Sequence, residues 1–230
     1  MTHDTPPAGS LTTGSTPPRS LLVEPYVEQI ARWPREGRHL MAQYNETSIV
    51  LYQAYRPSIG TWSAQMGRLG GPGFSQSRMT WVKPNFLWMM FRSGWGTKPD
   101  QEVTLAIHVK REWFEAILAE AVPSSHAHPG FSDEAAWQAA VARSDVRLQW
   151  DPDHLPSGGR CERRAVQLGI RGEALLRLNS SGILEIEDIS SFVATQRQFA
   201  QAPYRGLITP REEPFVPTTV GIRAQIGLDP

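Results

Sequence analysis

The sequence has 230 residues, 40% of them hydrophobic, and its 23 basic side chains balance 23 acidic ones at a pI near 7.0. A chain of this length and apolar content can bury one full core, and its single cysteine, Cys161, excludes an internal disulfide and a thiolate metal cluster. The neutral balance also argues against a protein that binds long duplex nucleic acid by bulk charge.

Targeting signals are the next feature to consider. The sequence has no run of about 18 apolar residues, which predicts that it does not cross a membrane. Its first residues lack the cationic start and apolar core of a secretory signal. Together with the lone cysteine, these features lead us to expect a cytoplasmic protein. The oligomeric state stays open.

Composition divides the chain into three regions. Residues 1–20 are rich in Thr, Pro, Gly and Ser, which bury too little surface to offset the entropy of ordering, so we predict a disordered tail. Residues 21–202 carry the periodic patterns of a single α+β domain, which begins with a short amphipathic arm over residues 21–35. Residues 203–230 are proline-rich and predicted to be extended.

The first long strand is predicted over residues 49–56, where apolar and polar residues alternate until Pro57 stops the ladder. Arg56 ends this strand and can reach into a cleft, although an ordinary end-of-strand cation gives the same pattern. A helix over residues 58–68 follows. The glycine-rich loop after it lacks the lysine spacing of a phosphate-binding P-loop.

A long window of the sequence, residues 47–99, contains no Asp or Glu but carries six cations. These are Arg56, Arg68, Arg78, Lys83, Arg92 and Lys98. Concentrated positive charge attracts phosphates and carboxylates, so the window predicts an anion site. Two alternatives stay open: a solvated basic face, and cations paired with acids that the fold brings in.

The densest part of the window is residues 77–98, SRMTWVKPNFLWMMFRSGWGTK, where aromatic rings interleave with cations as in nucleotide and single-strand sites. Residues 77–83 are predicted as a strand, because the residue before Pro84 must be extended. Pro84 then begins a short apolar helix to Phe91, whose Trp and Met side chains we interpret as core.

The loop after this helix supplies the candidate substrate-binding residues, which are Arg92, Trp95 and Lys98. They are candidates because a rigid element presents them from a loop.

Further strands are predicted over residues 103–109, 146–150 and 164–170, and further helices over residues 111–121, 132–142, 173–178 and 191–201. Ser132 is the predicted helix cap, and Asp151-Pro152-Asp153 is predicted to turn the chain. His126 and His128 are too isolated for a metal site.

The last strand is predicted over residues 183–189, ILEIEDI, and its alternation places Glu185 and Glu187 on one face. Two adjacent carboxylates raise each other's pKa and suit acid–base catalysis. The alternative is a solvent-facing edge strand whose acids guard against aggregation.

Several stretches resemble the family catalogued as domain of unknown function number 4291, over about residues 39–196. They are YQAYRP (52–57), RMTWVKPNFLWMMFRSGWGTK (78–98), Gln101-Glu102, the strand at 105–107, VRLQWDPDH (146–154) and AVQLGIRGEAL (165–175). This resemblance brings no function with it.

The order of elements is similar, at the level of fold, to that of ADP-ribosyltransferases. Those enzymes carry an Arg or His on an early strand, then an aromatic and Ser-containing strand, then a Glu on a later one. The resemblance implies an α+β single domain with a mixed or antiparallel split sheet and flanking helices, NAD as a substrate, and no metal. Here the serine segment departs from the usual Ser-Thr-Ser.

The same resemblance implies roles for particular residues. Glu187, with Glu185, would stabilise the oxocarbenium-like charge and deprotonate the acceptor. The implied cofactor-binding residues are Arg56, Tyr52, Ser77, Arg78, Trp81 and Lys83, with cations on the pyrophosphate and an aromatic ring stacked on nicotinamide or adenine.

Three functional hypotheses follow. The first is an NAD-dependent ADP-ribosyltransferase-like enzyme that acts on a nucleic-acid, nucleotide or other acceptor. The second is a non-catalytic module that binds single-stranded nucleic acid or nucleotides, with Glu185 and Glu187 structural. The third is an interaction protein whose Trp-rich strip is core. The first requires Arg56, Arg78 and Glu187 to open into one pocket.

Overall fold

The computed structural model describes residues 18–125, 131–219 and 221–229. Residues 1–17 of the predicted tail, and both His126 and His128, lie outside the described residues. The strands are β1 (Val23–Pro25), β2 (Gly37–Arg38), β3 (Met41–Ala42), β4 (Ser48–Tyr55), β5 (Thr80–Val82), β6 (Val103–Lys110), β7 (Val122–Pro123), β8 (Val146–His154), β9 (Arg160–Ile170), β10 (Ile183–Asp188), β11 (Ile208–Pro210) and β12 (Glu213–Pro214). The helices are α1 (Tyr26–Ile30), α2 (Pro57–Met66), α3 (Phe86–Ser93), α4 (Arg111–Glu120), α5 (Glu134–Arg143), α6 (Gly172–Arg177), α7 (Ser190–Arg197) and α8 (Ile222–Ile226), with a π-helical turn at Leu178–Gly182.

The first sheet is antiparallel, with β6 between β4 and β10. Its register places Tyr52 opposite Ala106 and Ala106 opposite Glu187. Residues that face each other across antiparallel strands share a side of the sheet. Glu187 therefore lies on the same face as Tyr52, two strands away.

The second sheet is mixed, with β9 between β8 and β5. The two-residue strands β2 and β7 add parallel pairs to β9 and β8. The two sheets are joined where the backbones of Tyr52 and Lys83 exchange hydrogen bonds, at N···O distances of 2.6 and 3.0 Å. Side-chain hydrogen bonds between Thr80 and both Gln53 and Tyr55 also link β5 to β4.

Two cores cover the faces of the first sheet. Leu51 and Leu105 point to one face and pack with the second sheet and α4. Tyr52 and Ala106 point to the other face and pack with α3 and α7. The molecule is thus a mixed α/β domain, and among its described residues no helix is long and apolar enough to cross a membrane.

Helix α3 begins at Phe86, two residues after the predicted start at Pro84, and ends at Ser93. It therefore includes Arg92, which was expected in the loop beyond the helix. The Asn85 side chain accepts a hydrogen bond from the Trp88 N–H at 2.7 Å, and Gly94 ends the helix in the left-handed conformation. Glu212 anchors the C-terminal segment here, since its carboxylate accepts bonds from the Phe86 N–H and the Asn85 amide. These contacts tie the start of α3 to the C-terminal segment.

Three local expectations differ from the structure. Asp133, not Ser132, caps α5, because its side chain accepts the Ala136 N–H. The segment after residue 202, expected to be extended, contains β11, β12 and α8. The chain does not turn at residues 151–153, because pairing with β9 carries β8 on to His154 with a bulge after Pro152.

Candidate functional site

A cavity of about 480 Å³ lies at the junction of the two sheets, beside α3. We call it the Lys83 cavity. It is lined by Gln53, Ala54, Trp81, Lys83, Trp88, Met89, Arg92, Gln101, Gln149, Asp151 and Gln167. Its wall combines aromatic rings, two cations, four amide side chains and one carboxylate, which is the mixture of groups that small-molecule sites use to fix a ligand.

Lys83 stands in this wall with only 3% of its surface exposed. Its Nζ donates a hydrogen bond to the Trp81 carbonyl at 2.8 Å. Burial, with a smaller contribution from nearby Arg92, lowers the pKa of Lys83 to about 7, although Asp151 opposes the change. At neutral pH a large fraction of these amines is therefore uncharged, which gives the cavity a nucleophile or a base.

Asp151 is held in place by two amide side chains. The Gln149 and Gln167 amide groups each donate to one of its carboxylate oxygens at 2.8 Å. Gln149 and Gln167 face each other across β8 and β9, and strand alternation puts Asp151 on the same side. The carboxylate is therefore oriented before any ligand enters, which is a requirement for electrostatic catalysis.

Trp81 packs against Gly169 of the neighbouring strand. A Cβ placed on Gly169 would lie 3.0 Å from two atoms of the indole ring. Any larger residue at this position would push the ring away, so the glycine allows Trp81 to lie against the sheet. The ring is partly exposed and can stack on a planar ligand.

A family model described as "Domain of unknown function (DUF4291)" matches residues 39–215, which is more than half of the chain. The chain belongs to this family. A comparison with curated proteins gave no match. All 11 residues that line the Lys83 cavity fall within the stretches that resemble DUF4291 in the sequence.

A second cavity is larger, at about 980 Å³, but it lies outside those stretches. Its wall includes Glu115, whose carboxylate is already bonded to Arg111 and to the hydroxyl and N–H groups of Thr218 and Thr219. The Glu115 carboxylate in that wall thus anchors the C-terminal segment. The Lys83 cavity is therefore the better candidate site in this DUF4291 protein, despite its smaller volume.

Of the residues that the sequence singled out, Trp81, Lys83 and Arg92 line the Lys83 cavity. Tyr52 does not, because its ring is fully buried and packs edge-on against Phe86. Stacking of Tyr52 on a ligand is thus excluded by burial, and its part is to pair with Lys83 through the backbone.

Trp95 is also a core residue. It is 8% exposed, packs against Phe86, and donates its indole N–H to the Pro156 carbonyl at 3.0 Å. Arg56, Ser77, Arg78 and Lys98 are exposed and lie outside the cavity lining. Lys98 donates instead to the Arg92 carbonyl at 2.7 Å.

The six cations of the acid-free window have no salt-bridge partner among the residues that the structure describes. In residues 18–125, 131–219 and 221–229, none of the six forms a salt bridge. The alternative that the fold pairs them with acids therefore fails for the part of the chain that the structure describes. Of the six, Lys83 and Arg92 line the Lys83 cavity, and the other four lie outside its lining.

Glu187 and Glu185 lie outside the cavity lining, and strand spacing puts their strand about 14 Å from Lys83. The Glu187 carboxylate accepts hydrogen bonds from the Ser20 hydroxyl and from the N–H groups of Arg19 and Ser20. Burial raises the pKa of Glu187, but these hydrogen bonds outweigh it and leave the pKa below its ordinary value. The sequence analysis expected the pair of carboxylates to raise the pKa of Glu187. This expectation is wrong, because the groups that contact the Glu187 carboxylate are hydrogen-bond donors.

Changing Glu187 to Gln is expected to cost about 1 kcal/mol of stability, since the bonds are partly exposed, and to leave ligand binding in the Lys83 cavity unchanged. The pKa of Glu187 is lower in the folded protein than in the unfolded chain. Its contribution to the free energy of unfolding is therefore fully present above the unfolded-state pKa and is lost as the pH falls through the folded-state pKa. Urea unfolding of both proteins at several acidic pH values measures this. A loss of ligand binding in the Lys83 cavity of the Glu187→Gln variant would contradict this prediction.

Sequence reasoning missed the amides and the carboxylate of the site. The missed residues are Gln53, Gln101, Gln149, Asp151 and Gln167. A usable signal was present, since all five lie in stretches that resemble DUF4291. Asp151 was hidden by the predicted turn at Pro152, which would have removed it from the face of Gln149.

Proposed function

We propose that this DUF4291 protein is an NAD-dependent ADP-ribosyltransferase-like enzyme and that NAD binds in the Lys83 cavity. The observation that carries the proposal is that an aromatic ring, two cations, amide side chains and an oriented carboxylate open into one cavity. A volume of about 480 Å³ lies within the range of about 300–1,000 Å³ for small-molecule sites.

The residues present fit the parts of a dinucleotide. Trp81 offers a ring face to nicotinamide or adenine. Arg92, exposed at the edge of the cavity, offers a planar guanidinium to the pyrophosphate. Gln53 and Gln101 can donate to and accept from ribose hydroxyls and a carboxamide.

Arg56, Arg78 and Glu187 do not line the Lys83 cavity, so the pocket expected from the sequence is not the one proposed here. In this proposal Arg92 and Asp151 take the roles of the cation and the carboxylate. Cleavage of the nicotinamide–ribose bond develops positive charge on the ribose, and a fixed carboxylate stabilises such charge. Gln149 and Gln167 hold both oxygens of Asp151, so little reorganisation is needed. The same carboxylate can accept the proton of an acceptor hydroxyl or amine.

The arrangement of strands supports the likeness to ADP-ribosyltransferases, which remains an analogy of fold. Three strands bring side chains to one cavity. They are the early strand β4 with Gln53, the second strand β5 with Trp81, and the later strand β9 with Gln167. The acceptor is proposed as a nucleotide, a nucleic acid or another small molecule.

One observation favours binding without catalysis as a second function. Where the resemblance leads us to expect Arg or His on the early strand and Glu on the later one, the cavity has Gln53 and Gln167. Amides recognise bases and sugars but do not carry charge or transfer protons. A nucleotide-binding module needs no more than these amides, the ring and the cations.

Two measurements distinguish the functions. One is calorimetry with NAD, and the other is nicotinamide release by the protein alone and with RNA, DNA or protein acceptors. Binding with release supports the transferase, and binding without release supports the module. If NAD neither binds nor releases nicotinamide, both proposals are overturned. Changing Trp81 to Ala is expected to weaken NAD binding by about 1–3 kcal/mol, as for a lost base–aromatic stack. Trp62→Ala is the matched control, because Trp62 is outside the cavity lining.

A further inference from the structure

The choice of cation in the Lys83 cavity is unusual for this chain. Of its 23 basic residues, only three are lysines, namely Lys83, Lys98 and Lys110. Arginine serves at the other positions, and it is the better residue for bidentate contact with phosphate. Lysine differs from arginine in that it can lose its proton in a protein, so the cavity holds the one kind of cation that can become a nucleophile.

The surroundings of Lys83 favour the uncharged amine. Its side chain is almost fully buried, and the single hydrogen bond from Nζ to another described residue goes to a backbone carbonyl, not to a carboxylate. Lys98 and Lys110 are different, since Lys98 is exposed and the Lys110 side chain is 42% exposed. Desolvation of this kind is how proteins activate lysines that attack carbonyl groups.

We infer that the Lys83 amine forms an imine with the open-chain aldehyde of a phosphorylated sugar that binds in the Lys83 cavity. Arg92 supplies the phosphate contact and the cavity amides the contacts to the hydroxyls, as in the function proposed above, on which the ligand class rests. The attacking amine itself has no part in that function.

The reaction balances without an oxidant or a reductant. The Nζ lone pair forms a bond to the aldehyde carbon, and the carbonyl oxygen takes a proton. The nitrogen then loses its protons as the C–O bond breaks, and one water molecule leaves for each imine formed. Asp151, the carboxylate in the same cavity, accepts and returns the proton during this exchange.

Reductive trapping tests this inference on the full chain. The protein is incubated with ribose 5-phosphate and borohydride, which reduces an imine to a stable secondary amine, and the modified lysine is located by peptide mass spectrometry. We expect labelling of Lys83 at least tenfold above that of Lys98 and Lys110, which serve as controls within the same molecule. Unphosphorylated ribose is expected to label Lys83 much less, and Lys83→Arg not to be labelled there.

The pH dependence adds a second readout. Labelling of Lys83 is expected to reach half its maximum near pH 7, where exposed lysines, with a pKa of about 10.4, are almost fully protonated. Arg92 and Asp151 are the charged groups that act on Lys83. Arg92→Met should therefore move the midpoint to higher pH, and Asp151→Asn to lower pH.

Equal labelling of the three lysines, or none at Lys83, overturns the inference. Because the comparison is made within the unaltered protein, it stands even if Lys83→Arg fails to fold. The two proposals also fail separately. Nicotinamide release without trapping leaves the transferase intact, and trapping without NAD binding leaves the amine chemistry intact.

Discussion

Changing Asp151 to Asn is expected to lower the rate of nicotinamide release by about 10²–10⁴-fold, the usual effect of losing a positioned acid–base group. The reason is that Asp151 is the one carboxylate among the residues lining the Lys83 cavity. Asparagine keeps the volume but carries no charge to stabilise a cationic ribose. NAD affinity should change much less than the rate, because Trp81 and Arg92 remain.

The matched control is Glu187→Gln, which removes a carboxylate charge outside the cavity and should retain the rate. Steady-state kinetics with both variants, together with calorimetric NAD affinities, makes the comparison. Full activity in Asp151→Asn with loss in Glu187→Gln would return the catalytic role to the residue that the sequence suggested.

Changing Arg163 to Ala is expected to cost about 3–5 kcal/mol of stability, since it strands a buried charge. Arg163 and Asp153 form a salt bridge with side chains only 2% and 1% exposed. Arg163 also donates to the Pro34 carbonyl at 2.7 Å and lies over the Trp33 ring at 4.9 Å. Without it, Asp153 keeps its burial but loses its cation.

Urea unfolding measures this effect, with Arg211→Ala as the control. Arg211 pairs with Glu213 at the surface, where both side chains are about half exposed, so its loss should change stability far less than the loss of Arg163. The double change Arg163→Met with Asp153→Leu should recover part of the loss, because neither charge is then buried alone. A cost below 1 kcal/mol for Arg163→Ala would show that Asp153 finds another partner.

Much of the local structure could be predicted from the sequence. Alternation over residues 49–56 predicted β4 almost to the residue, and Pro84 with Gly94 bounded α3. These features depend on short-range chemistry, namely side-chain periodicity, proline geometry and helix capping, all of which are written in neighbouring residues. The acid-free window likewise located Trp81, Lys83 and Arg92, because their clustering is already present along the chain.

The end of β8 shows why other parts could not be predicted. Locally, Asp151-Pro152-Asp153 has the composition of a turn. In the folded chain, hydrogen bonds to β9 continue past Pro152, and they keep Asp151 in line with Gln149. Pairing with a strand that lies elsewhere in the sequence outweighs the local preference, and only that pairing makes Asp151 a cavity residue.

The sequence by itself determined most of the longer strands and helices, the single cysteine, and the region rich in cations and rings. Tertiary structure decided which side chains share a cavity. Glu187 has the local pattern of a catalytic carboxylate, yet β6 and β4 separate its strand from Lys83, and Arg19 and Ser20 occupy its oxygens. The reason is physical: strand order and register depend on contacts between residues far apart in the chain, and periodicity within one strand carries no information about them.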